Sequence, residues 1–201
     1  GTLVVSNGGS VTNAGSAFVG SGTGSSGQAV VSGTWGVGSD LSIGTSGGTG
    51  TLVVSNGGSV SVGGNTYLGG GFLQVSGSMG TGTVSIGGRG TIQLDGSVTA
   101  NAVTLSNGGS LVAFNPNGLT NVSALNMSDG TLLIGEGTLA LGGSITLVGS
   151  STVSLGSPTA SVSGSGALTV SGSNNFISLI GNSDYWNNTN APYNLSLIHI
   201  S

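Results

Sequence analysis

The chain has 201 residues, 43 of them glycine, and only 3% are charged, against about 25% in an ordinary soluble domain. Its net charge is −4 and Arg89 is its one Lys or Arg, which excludes the clustered basic surface that a nucleic-acid backbone requires. It has no cysteine, which excludes a disulfide framework and thiolate metal sites, and no apolar run approaches the ~18 residues of a membrane-spanning helix.

Along the sequence, the eleven residues GTLVVSNGGSV at positions 1–11 return letter for letter at 50–60, and a shorter form, LSNGGSL, occupies 105–111. Five-residue units start at Gly1, Gly27, Gly50, Gly71, Gly90, Ser110, Gly130, Ser151 and Gly166. Their third and fifth positions are always apolar: Leu3/Val5, Ala29/Val31, Leu52/Val54, Leu73/Val75, Ile92/Leu94, Val112/Phe114, Leu132/Ile134, Val153/Leu155 and Leu168/Val170. Period-two alternation marks a strand with one buried face. Further short strands are predicted from Ser59, Thr83, Ala102 and Thr138, so each repeat carries two or three strands joined by Gly/Ser/Asn turns. The pattern predicts an all-β, right-handed parallel β-helix (a solenoid) of about nine circuits of about 20 residues each. An isolated circuit buries too little apolar surface to offset its ordering entropy, so the circuits must stack. The rival is an antiparallel sandwich or meander, which the Asn-Gly pairs at Asn7, Asn56, Asn107 and Asn117 would favour. A near-constant return with matched inward positions favours the solenoid.

Residues 1–175 form the expected repeat region, and 176–194 the end of the coil or a loop or cap. Residues 195–201 read LSLIHIS. This heptapeptide matches the translation of a transposase adapter used in sequencing libraries, so it is set aside from fold and function. The only histidine, His199, goes with it. No signal peptide is visible, and the sequence starts in mid-repeat without Met. Both natural termini are therefore expected to lie beyond this sequence.

Little in the sequence points to chemistry. The acids Asp40, Asp95, Asp129, Glu136 and Asp184 are scattered about a circuit or more apart, apart from Asp129 and Glu136. Paired-carboxylate catalysis needs two acids at a set separation. Arg89 and Asp95 flank one strand, as do Asp129 and Glu136; surface pairing and solvated turns are the expected roles. Without a base beside the many serines there is no nucleophilic triad. GGRGTIQLD at 87–95 is the nearest approach to a calcium-binding solenoid repeat, but its Asp is misplaced and the motif occurs once. SNGG could cradle a phosphate, yet it lacks the helix and Lys of a P-loop and is read as a corner. Trp35, Tyr67 and Phe72 are expected to be packed or loop residues. Tyr185, Trp186 and Tyr193 cluster at 184–194, where a cap is favoured over a glycan site. No catalytic, cofactor-binding or metal-binding residue is assigned.

The strand units with their SNGG corners, and the longer stretch VVSGTWGVGSDLSIGTSGGTGTLVVSNGGSV at 30–60, resemble the autotransporter-associated β-strand repeats of bacterial autotransporter passenger regions. The resemblance implies a secreted β-helical stalk at the cell surface, exported by an outer-membrane translocator barrel in a C-terminal part beyond this sequence. From the scarcity of candidate catalytic and metal-binding residues, no enzymatic activity and no cofactor are expected. The expected function is a rod presenting adhesive surfaces to host or environmental glycans or proteins. Two alternatives are a polysaccharide-active β-helix enzyme, and ice or crystal binding by the threonine row Thr2, Thr51, Thr91, Thr131 and Thr152, interrupted at Phe72, Leu111 and Ala167.

Overall fold

The computed structural model describes residues 1–114, 122–136, 138–141, 143–156, 161–164, 168–171, 175–179 and 186–188. The adapter-like residues 195–201 and the acid Asp184 lie outside them. The described residues form a parallel β-solenoid of about seven turns. Its first sheet has nine strands, Thr2–Val5, Ser26–Val31, Thr49–Val54, Phe72–Val75, Thr91–Leu94, Ser110–Ala113, Thr131–Ile134, Thr152–Leu155 and Phe176–Leu179, stacked in sequence order. The second sheet follows a path from Ser10–Asn13 through Thr34–Val37, Ser59–Val62, Ser78–Ile86, Ser97–Ser106, Ala124–Ser128 and Ile145–Val148 to Leu168–Ser171. In the early coils, separate strands Ala17–Val19, Leu41–Ile43 and Thr66–Leu68 extend that sheet around a further corner. In the two coils at residues 78–106 the segments merge into long strands, so the units expected from Thr83 and Ala102 are parts of Ser78–Ile86 and Ser97–Ser106. The strand expected from Thr138 is Thr138–Leu141, in a third sheet with Ser161–Gly164 and Trp186–Asn188.

Every pairing among the described strands is parallel, and nearly every repeat is in register. Leu3 pairs with Ala29, Ala29 with Leu52, Leu52 with Leu73, Leu73 with Ile92, Ile92 with Leu111, Leu111 with Leu132 and Leu132 with Val153. Beyond half-buried Leu3, all of this column is buried, as is the adjacent column from Val5 to Leu155. The antiparallel meander is excluded, because Thr49–Val54 and Ser59–Val62 lie in different sheets.

Two sequence expectations are corrected. At the sixth unit the inward residues are Leu111 and Ala113, not Val112 and Phe114; Phe114 is 49% exposed. The unit begins at Gly109, whose carbonyl accepts Thr131 N–H just as that of Gly90 accepts Ser110 N–H. The ninth unit, Leu168/Val170, stacks on Ile145 and Leu147 in the second sheet. The ninth strand of the first sheet is Phe176–Leu179, paired with Thr152–Leu155. The motif at Leu168 therefore marks a second-sheet strand, and the ninth first-sheet strand follows it at Phe176.

Polar groups that turn inward find each other. Thr66 is fully buried; its Oγ1 lies 3.0 Å from Thr81 Oγ1, which also donates to Gly64 O at 3.3 Å. This removes the desolvation penalty of an unpaired buried hydroxyl. At the SNGG corner, Gly58 N–H donates to Ser55 O at 2.8 Å, and Gly57 takes φ +82°, a conformation glycine adopts without Cβ strain.

Candidate functional site

Inward columns are committed to packing, so any function must use the outer faces and corners. On the outside of the first sheet, one column runs Thr2, Gln28, Thr51, Phe72, Thr91, Ser110, Thr131, Thr152, and the next runs Val4, Val30, Val53, Gln74, Gln93, Val112, Leu133, Ser154. The threonine row is therefore broken at Gln28, Phe72 and Ser110; the expected break at Leu111 is corrected, since Leu111 points into the core. Ala167 lies outside the described residues. The second sheet presents Ser10, Thr34, Ser59, Ser78 and Ser97 as one outward column and Thr12, Gly36, Ser61, Gly80 and Thr99 as another. These faces offer hydroxyls, amides and methyls, and the four columns contain no ionisable side chain.

Three of the acids, Asp40, Asp95 and Asp129, are engaged at corners. Asp40 Oδ1 accepts Asn65 N–H at 2.8 Å, and one coil on, Asn65 Oδ1 accepts Thr83 N–H at 2.8 Å. Leu41 pairs with Thr66 and Thr66 with Val84, so Asp40, Asn65 and Thr83 stand one above another as a polar ladder. Asp129, at φ 57°, accepts Ser150 N–H on Oδ1 at 2.8 Å and Gly108 N–H on its backbone carbonyl at 2.8 Å. Asp95 Oδ2 accepts Gln74 Nε2 and Gln93 Nε2, each at 3.2 Å. Each carboxylate thus tethers a neighbouring coil or its outer side chains.

The pairs considered from sequence sit at opposite strand ends. Arg89, exposed at φ 73°, precedes the strand Thr91–Leu94 and Asp95 follows it. Asp129 and Glu136, both exposed, flank Thr131–Ile134. Residues 87–90 close a turn through Gly90 N–H to Gly87 O at 2.8 Å, and Asp95 at the far end of that motif is held by the two glutamines. Among the described residues no group of three or more His, Cys, Asp or Glu is placed to hold a metal ion.

Trp35 is buried in the core, with Nε1–H donating to Asn13 Oδ1 at 3.3 Å. Tyr67 is 37% exposed, and its OH accepts Asn65 Nδ2–H at 3.3 Å. Phe72 is half-buried in the outward threonine column. Trp186 lies in the strand Trp186–Asn188, parallel to Ser161–Gly164; Tyr185 and Tyr193 lie outside the described residues, as does His199. A cavity of about 320 Å³ opens beside the first coil, lined by Leu3, Phe18, Val19, Ala29 and Trp35 together with small polar residues. It has no acidic or basic side chain to drive proton transfer. Sequence reasoning misses the corner ladder. Its one signal there is that Asp40 and Asn65, 25 residues apart, each precede a short strand.

No protein-family model, no curated protein and no solved structure matches this sequence.

Proposed function

We propose that this protein is part of a secreted bacterial surface rod, similar to an autotransporter passenger stalk, whose work is presentation and adhesion. The observation that carries this reading is the in-register parallel stack with charge-free hydroxyl, amide and methyl columns on its outer faces. Such columns recognise neutral glycans or protein surfaces through many weak contacts, which add up only when several coils or several rods engage together. A solenoid whose coils touch mainly their neighbours also forms progressively, which suits a polypeptide emerging from a membrane pore. Export through an outer-membrane barrel is the route the repeat resemblance implies.

The test is retention of neutral polysaccharides and of cell surfaces by beads bearing the protein at high density, compared with the free monomer. The rod reading predicts avid retention by the beads, with the monomer about 10²–10⁴-fold weaker, and little loss when salt is raised well above physiological, since few charges are available to screen. Failure of dense beads to retain any such surface would contradict it, as would binding that collapses with salt.

A further inference from the structure

The tetrapeptide Ser-Asn-Gly-Gly, followed each time by Ser, occurs at 6–9, 55–58 and 106–109. The local sequence is the same, but the three corners differ in how they are held. Asn7 and Asn56 are exposed and keep negative φ, and the turn closes through Gly9 N–H to Ser6 O and Gly58 N–H to Ser55 O, each at 2.8 Å. Between them, Gly8 and Gly57 are as exposed as Gly108, but their backbone N–H groups donate to no acceptor among the described residues. At the third corner, Asn107 takes φ 50°. Its N–H donates to Ser128 O at 3.2 Å and that of Gly108 to Asp129 O at 2.8 Å. The peptide unit joining Asn107 to Gly108 is thus fastened to the next coil.

An asparagine followed by glycine carries an electrophilic amide carbon one ring-closure away from the next backbone nitrogen. When that nitrogen loses its proton to hydroxide, it can attack the asparagine Cγ. A new bond forms between the backbone nitrogen and Cγ, the Cγ–Nδ2 bond breaks and ammonia leaves, giving a five-membered cyclic imide. Water then opens the ring at either carbonyl, yielding aspartate or isoaspartate. The sum is amide plus water to carboxylate plus ammonium, with no change of oxidation state. The reaction needs a backbone N–H open to solvent and free to swing, and a hydrogen bond to a stacked coil withholds both.

We propose that Asn7–Gly8 and Asn56–Gly57 are sites of slow self-modification to aspartate and isoaspartate, whereas Asn107–Gly108 is protected by the coil stacked against it. Asn13 and Asn65 are held differently, and the Asn117–Gly118 pair lies outside the described residues. Asn65 has both amide atoms engaged and is followed by Thr66, and Asn13 donates to Gly15 O and accepts from Trp35. Each conversion adds a carboxylate to a surface with very few charges. The isoaspartate form also lengthens the backbone by one atom, beside a Gly58 already tight against Val31 O.

The test is to incubate the intact folded protein at mildly alkaline pH and follow chymotryptic peptides by mass spectrometry, with a parallel sample in denaturant. In the folded protein, conversion at Asn7 and Asn56 is expected to be at least about tenfold faster than at Asn107, whose reaction must wait for local opening. In denaturant the three sites, sharing one sequence, should react at comparable rates. An Asn56→Gln variant should keep its fold and lose the Asn56 product alone. Equal rates at Asn56 and Asn107 in the folded protein would overturn the proposal, as would an Asn56 that stays intact while the denatured control converts.

Discussion

Residues 1–11 and 50–60 are the same eleven letters in two settings. The second copy has strands on both sides, Ser26–Val31 and Phe72–Val75, whereas Thr2–Val5 pairs with Ser26–Val31 alone among the described strands. Leu52 and Val60 are buried, while Leu3 and Val11 are only half-buried; Val4 is 63% exposed, while Val53 is half-buried. Identical sequence thus yields different burial. A coil's stability resides in its interfaces with its neighbours, as expected for a quasi-one-dimensional stack.

The strongest way to break the comparison is to place a charge at each copy. Leu52→Asp puts an unpaired carboxylate in a closed column and should cost more than about 4 kcal/mol, enough to disrupt the stack. Leu3→Asp, at a half-buried position, should cost this 201-residue chain about 1–2 kcal/mol; urea unfolding of the two variants reads the difference, and equal costs would refute it. Next is Gly58→Ala against Gly9→Ala. The new methyl at Gly58 meets the backbone carbonyl of Val31 in the neighbouring coil, whereas at Gly9 the nearest atom is its own turn's Ser6 O at 3.0 Å. The first should cost about 1–3 kcal/mol and the second less than about 1. The smallest contrast lies at the polar corner, where Asp40→Ala strands Asn65 N–H at about 1–2 kcal/mol. Ser16→Ala, at the matching place one coil earlier, should stay within about 0.5 kcal/mol. Thermal melting that ranks Ser16→Ala above Asp40→Ala would count against a tethering role for the carboxylate.

The alternation L-x-V after glycine made the columns through Leu52, Leu73 and Ile92 legible, because a buried face with period two leaves few other arrangements. It failed at 111–114, where four apolar residues run together and alternation cannot say which pair faces in. The small Ala113 packs inside and the large Phe114 faces out, the reverse of a reading by size. At Leu168 and Val170 the same motif serves the second sheet, since both sheets face one core and use one pattern. The outward faces followed from the columns, but the Asp40–Asn65–Thr83 ladder did not. Its members are a coil apart and meet only once the register of neighbouring turns is set.

The protein has no cysteine of its own, so engineered pairs report on stacking without interference. Gln74 and Gln93 face outward as in-register partners on adjacent parallel strands, about 4.8 Å apart, within the Cα range a disulfide spans. A Gln74→Cys, Gln93→Cys variant should oxidise readily to an intramolecular disulfide, while a Val53→Cys, Ser61→Cys variant, whose positions lie in different sheets, should not. A disulfide in the second variant and none in the first would mean that neighbouring strands fold back as hairpins, contradicting the parallel stack.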